Sequence, residues 1–125
     1  MIDHVSIPVR DLGASARFYA AVLAPLGMMK LVERDASIGF GKRYPELWLN
    51  HRPGRNPSDA SDGAHICLRA REQAVVQRFF KAALAAGGKS AGEPGPRQAA
   101  MTPYYAAFIE DLDGHRIEAA SFPQE

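Results

Sequence analysis

The sequence predicts an α+β domain built from two copies of one βαβββ unit. Three observations predict it: an internal repeat at an offset of 61 positions, an alternating apolar run opening each copy, and a helix-spaced apolar pattern after each run. At that offset His4-Val5-Ser6-Ile7 falls on His65-Ile66-Cys67-Leu68, and Arg17-Phe18-Tyr19 falls on Arg78-Phe79-Phe80. Ala21, Leu23 and Gly27 likewise fall on Ala82, Leu84 and Gly88. A constant offset held across so many positions marks a duplicated supersecondary unit.

Each element follows from the local pattern. In the first strand Val5, Ile7 and Val9 share one face, which leaves His4 and Ser6 on the other. Asp11 is placed to cap a helix whose buried stripe is Phe18, Tyr19, Val22, Leu23 and Leu26. Three short strands then fit about Met28–Arg34, Ala36–Gly41 and Glu46–Asn50. In the second copy Ile66 and Leu68 point inward, leaving His65, Cys67 and Arg69 opposite. Its helix carries Val76, Phe79, Phe80, Ala83 and Leu84 as core, and Gly87-Gly88 stops it. Strands over about Lys89–Glu93, Tyr104–Glu110 and Arg116–Phe122 complete the unit. Gly92–Pro103 reads as a loop carrying Arg97 and Met101, and Asp113-Gly114 as a hairpin turn with His115 as a solvated turn residue. The expected organisation is one domain over 1–125, with a first module at 1–50, a linker rich in Pro, Gly, Ser, Asn and Asp at 51–63, and a second module at 64–125.

Bulk properties exclude several classes of function. With 125 residues, 46% of them hydrophobic, the chain can bury a core of its own. A net charge of +1 gives no basic excess for nucleic acid or an anionic membrane. No apolar run reaches the roughly 20 residues of a membrane span, and the start, Met1-Ile2-Asp3-His4, lacks the features of a secretory leader. One cysteine, Cys67, allows no internal disulfide and suits the cytoplasm.

The same alternation gathers polar chemistry on the face away from the helices. His4 and His65 are equivalent in the repeat; Glu118 lies in the last strand of the second copy, and Glu46 begins that of the first. With Leu47 and Leu49 inward, Glu46, Trp48 and Asn50 join His4; with Ile117 and Ala119 inward, Glu118, Ala120 and Phe122 join His65. Two imidazoles and two carboxylates among aromatic residues suit a divalent Zn, Ni, Co, Fe or Mn ion, with open positions for water or substrate. Taken singly, each His or Glu is more ordinarily a structural or solvated residue, and Trp48 and Cys67 can equally be packing. Tyr104 and Tyr105 lie on opposite faces of one strand, so one of them reaches the cleft. Arg43, Arg69 and Arg97 are candidates for an anion, each also readable as surface charge.

Ile2-Asp3-His4-Val5, Val9-Arg10-Asp11-Leu12, Ser15-Ala16-Arg17-Phe18-Tyr19, Gly63-Ala64-His65-Ile66, and Ala107–Gly114 followed by Ile117-Glu118 together resemble the vicinal oxygen chelate superfamily of glyoxalases, bleomycin-resistance proteins and extradiol dioxygenases, in an uncharacterised glyoxalase-like subgroup. The resemblance covers nearly the whole chain. It implies paired βαβββ modules forming a curled mixed sheet with helices outside. It implies His4, Glu46, His65 and Glu118 as metal ligands, Glu118 or Glu46 as catalytic proton shuttle, and a cleft shared across a homodimer. Trp48, Cys67, Arg69, Tyr104, Tyr105 and Phe122 would line it for a small-molecule substrate. The implied activity is that of a lactoylglutathione-lyase-like lyase or isomerase that stabilises an enediolate-type oxygen. Alternatives are a ring-cleaving dioxygenase using His4, His65 and Glu118, thiol transfer to an antibiotic epoxide, and a non-enzymatic binder of flat ligands. The turn Leu23-Ala24-Pro25-Leu26-Gly27-Met28 is two residues longer than the family's usual form, and Leu112 replaces its usual proline.

Overall fold

The structure, a computed structural model, describes residues 1–56, 63–98 and 101–123. In chain order it contains β1 (Val5–Val9), α1 (Leu12–Leu23), β2 (Met29–Glu33), β3 (Ser37–Gly41) and β4 (Pro45–His51), then β5 (His65–Arg69), α2 (Gln73–Ala85), β6 (Lys89–Gln98), β7 (Pro103–Glu110) and β8 (Arg116–Ser121). This is the βαβββ order twice. Residues 57–62 of the expected linker and 99–100 of the expected loop lie outside the described residues.

Each module forms one four-stranded sheet, ordered β1-β4-β3-β2 and β5-β8-β7-β6. The first strand of each module pairs parallel with the last, and the other pairs are antiparallel. The helices cover one face of the sheets and pack on each other. Asp11 caps α1, its Oδ1 accepting from the Ala14 N–H at 3.0 Å. Phe18, Tyr19, Val22, Leu23 and Leu26 are buried as their spacing demands, and they share one core with Val75, Val76, Phe79 and Ala83 of α2. Gly88 permits a close approach: a Cβ there would lie 2.9 Å from the Phe18 ring of the first module and 2.8 Å from the Glu110 carbonyl of its own. Among the described residues no helix is long and apolar enough to cross a membrane.

Three expectations need correction. The segment Gly92–Pro103 is not a loop throughout, because β6 continues to Gln98. It tolerates Pro94 and Pro96 because it is an edge strand, and it takes up irregular register around Gly92 and Gly95. Leu84 is 43% exposed; the buried stripe of α2 runs through Val75, Val76, Phe79, Phe80 and Ala83, and Leu84 falls one position beyond its edge. His115 is half-buried, not a solvated turn residue, and its Nε2 donates to the Pro8 carbonyl at 2.6 Å.

That histidine belongs to a buried polar network between the modules. Asp111 and Asp113 flank the β7–β8 turn and are only 6% and 2% exposed. Asp113 Oδ1 accepts from the Arg10 backbone N–H at 3.0 Å and from Arg10 Nε at 2.9 Å, while Oδ2 accepts from Ser15 Oγ at 3.4 Å. Asp111 Oδ2 accepts from the Tyr19 hydroxyl, and its Oδ1 accepts from the Asp113 and His115 backbone N–H groups. Burial pushes the Asp111 carboxyl above its ordinary range, opposed by the Tyr19 hydrogen bond and the nearby His115. Burial first, and then the Asp111 charge, push the Tyr19 phenol well above 10.

A phenol raised in the folded state contributes stability below its unfolded value, near 10, and that contribution is lost as pH rises further. Thermal melts should therefore show a falling Tm above about pH 10, and Tyr19→Phe should blunt that fall. At neutral pH the same substitution removes the donor from a buried carboxylate and should cost about 1–3 kcal/mol. A variant as stable as the parent would remove Tyr19 from this role.

Candidate functional site

β8 supplies the centre of the second module's open face. Ile117, Ala119 and Ser121 alternate with Glu118, Ala120 and Phe122, and Glu118 lies opposite Cys67 of β5 and Phe108 of β7. The Glu118 carboxylate is buried, with Oε1 3.1 Å from His65 Nε2. Its Oε2 is buried without a well-formed hydrogen bond among the described residues. His65 remains 44% exposed by its side chain and rests beside Phe108, ring centroids 5.7 Å apart. Burial first, then the Glu118 charge and hydrogen bonding to the Glu118 side chain, push the Cys67 thiol up to about 12 and raise the Tyr104 phenol above its ordinary value.

Aromatic rings wall this carboxylate. Tyr104 stacks on Phe122 with centroids 5.0 Å apart and planes 12° from parallel, and the Arg69 guanidinium lies over Phe122 at 4.4 Å. Arg97 lies 5.8 Å from the Phe108 centroid and donates to the Glu93 carbonyl at 2.6 Å. Of the tyrosine pair, Tyr104 takes the open face. Tyr105 lies on the helix side, where its hydroxyl accepts from Gln77 of α2 at 3.0 Å, so the expectation that it lines the cleft is corrected. Phe108 was not singled out from sequence, although it shares strand parity with Tyr104.

The first module differs at the matching position. Ser6 pairs with Trp48 as Cys67 pairs with Glu118, so Trp48, not Glu46, is the register equivalent of Glu118. Glu46 corresponds instead to Arg116, two residues away along the strand, and its Oε1 accepts from the Lys42 backbone N–H at 3.2 Å. The two glutamates therefore stand at different registers of their sheets, Glu46 two residues before the position equivalent to Glu118. Trp48 lies flat across Gly39, where a Cβ would come within 3.1 Å of the indole, and the Arg34 guanidinium lies 5.2 Å from its ring. His4, just before β1, is exposed and hydrogen-bonds Asp3 at 2.8 Å. Among the described residues, no three His, Cys, Asp or Glu side chains of one chain converge as a metal-binding group.

Residues 1–119 match the model of the Glyoxalase/Bleomycin resistance protein/Dioxygenase superfamily, and the chain belongs to that family. Its fold is similar to that of a glyoxalase/bleomycin resistance protein from Albidiferax ferrireducens T118, with a TM-score of 0.85 and 28% identity over 96% of this chain and 98% of that one. It is also similar to a fosfomycin resistance protein from Mesorhizobium loti, with a TM-score of 0.70 and 17% identity over 98% and 92% of the respective chains. A bleomycin-binding protein, solved with bleomycin, aligns with a TM-score of 0.62 and 21% identity over 94% and 95%. No curated protein matches the sequence.

The elevated thiol has a direct consequence. At pH 8, with a chelator present, Cys67 should react with iodoacetamide on the order of 50-fold more slowly than an unperturbed thiol, since the lost thiolate fraction outweighs its greater intrinsic nucleophilicity. Glu118→Gln removes a charge that opposes the thiolate and should speed the reaction. Equal rates in parent and variant would show that Glu118 does not govern this thiol.

Proposed function

We propose that this protein is a metal-dependent enzyme of the glyoxalase-like lyase or isomerase type, acting on a small molecule at a centre formed by His4, His65 and Glu118. One observation carries the reading: a buried carboxylate whose Oε1 meets an imidazole nitrogen at 3.1 Å while its Oε2 is buried without a well-formed hydrogen bond, the Cys67 thiol and the Tyr104 phenol being the neutral groups that face it. An unsatisfied buried acceptor costs about 1–3 kcal/mol, and more when charged, so a cation at Glu118 is the natural complement. Imidazole and carboxylate donors suit Zn, Ni, Co, Fe or Mn. When bound, such an ion supplies Lewis-acid stabilisation of an enediolate-type oxygen. Glu118 moves the proton between adjacent substrate carbons. Arg69, Tyr104 and Phe122 orient the substrate, and Phe108 excludes water from the imidazole side.

Because His4 stands on the other sheet, the reading includes a homodimer in which His4 of one copy meets His65 and Glu118 of a second. The lone thiol fits a cytoplasmic setting. Trp48 at the fourth corner favours one alternative, a ring-cleaving dioxygenase with a two-His, one-carboxylate iron site.

Elemental analysis of protein purified without added metal should find a stoichiometric divalent ion, lost in His65→Ala and retained in Glu46→Gln. Turnover of methylglyoxal with glutathione then supports the lyase; oxygen uptake with a catechol and ferrous iron supports the dioxygenase. Finding no metal in the parent, even after reconstitution with each ion, overturns the proposal in favour of a binder that holds a flat ligand on Tyr104 and Phe122.

A further inference from the structure

The structure assigns a second site to the opposite side of the Arg69 strand, and we propose that it binds the phosphate group of a phosphorylated small molecule. A cavity of about 510 Å³ lies where the short 3-10 turn Ala24–Leu26 meets the start of α2. Its lining includes three cations, Lys42 from the first module and Arg71 and Arg78 from the second, together with Arg69, whose guanidinium lies over Phe122 on the other face. No carboxylate lines it among the described residues. The volume is that of a small-molecule site, not of a packing defect.

Each element brings its charge there for a local reason. Gly27 closes the turn in the left-handed region at φ 81°, and a Cβ on it would lie 3.8 Å from Lys42 Cε, so the lysine stem crosses the turn against bare backbone. Arg71 follows the end of β5 by two residues and Arg78 belongs to α2, while Arg69, the last residue of β5, sends its guanidinium to Phe122. Val75 provides an apolar floor. Two acids stand beside these residues: Glu72, 3.9 Å from Arg71 with both side chains well exposed, and Glu46 in the adjoining groove, which shares Leu26, Lys42 and Arg69 with the cavity.

Gathering three cations around one concavity in a chain of net charge +1 opposes folding through like-charge repulsion, which a bound anion relieves. The two guanidiniums, of Arg71 and Arg78, can each present paired donors in a planar fork. A monocarboxylate has two oxygens to offer them, whereas a phosphate monoester carries three oxygens and a charge of about −1.5 to −2 at neutral pH. The organic portion can lie along the adjoining groove, whose apolar residues include Leu26, Met28 and Leu68. This inference does not depend on the metal reading.

Calorimetric titration of the full chain, with chelator present and ionic strength held constant, tests it. Inorganic phosphate and glycerol 3-phosphate should bind saturably, the ester at least as tightly as the free ion. Lys42→Gln and Arg78→Gln should each weaken binding about tenfold. Arg17→Gln removes the same charge at the repeat-equivalent position of α1, outside the cavity, and should leave binding unchanged. Both helix substitutions preserve helix propensity, and circular dichroism confirms folding before titration. Absence of binding, equal binding in all variants, or tighter binding of citrate than of either phosphate would overturn the proposal.

Discussion

Asp111 and Asp113 sit in a β-turn, where charged side chains ordinarily reach water, yet both are buried. Arg10, Ser15 and Tyr19, which come from the end of β1 and the first turns of α1, close over them. A carboxylate taken out of water requires a full set of donors, so the position of α1 and the conformation of the β7–β8 turn are fixed together. The modules are thereby locked by a polar constraint that tolerates little slippage, where apolar packing alone would allow several arrangements. His115, bonded to Pro8, extends the same lock to the edge of β1.

That lock determines which strand edges meet. Among the described residues no ladder joins the two sheets; β1 and β5 instead run beside a seam whose grooves are lined by Val5 and Ile7 from one side and His65 and Ile66 from the other. The helix-facing sides pool into one core, which leaves both opposite faces available for chemistry. Glu118 takes its place from this arrangement. It is held in the middle of a sheet between Cys67 and Phe108, too deep for water to satisfy both oxygens. Phe122, shared by the Tyr104 stack and the Arg69 guanidinium, ties the aromatic wall to the strand that also carries His65.

Much of this was legible in the sequence because two periodicities and one repeat carry it. Alternation placed His65, Cys67 and Arg69 on one face, and helical spacing placed Phe18, Tyr19 and Val22 in the core. What escaped depends on tertiary neighbours. Parity separated Tyr104 from Tyr105, but only Gln77 across the helix interface shows which side each takes. Asp111 and Asp113 carry a turn signature whether buried or solvated, and nothing local announces that Tyr19 will reach back to them. β6 violates strand propensity at two prolines and is rescued by being an edge. Residue type does not tell that Glu46 and Glu118 stand two residues apart in register, because equivalence in a sheet is set by its ladder.

Register also shows what duplication did to the two faces. At one pair of equivalent positions the first module sets Trp48 opposite Gly39, and the second sets Glu118 opposite Phe108. Each pair combines one large ring with one smaller partner, so both backbones accommodate similar bulk while their chemistry diverges. In the first module the ring occupies the position nearest the parallel strand and lies flat because the glycine yields room. In the second the ring moves one strand outward, and the vacated position admits a carboxylate beside an imidazole. The backbone of the unit therefore leaves function open. Two changes across adjacent strands, a ring moved one strand outward and a carboxylate set in its place, separate an apolar wall from a buried anion.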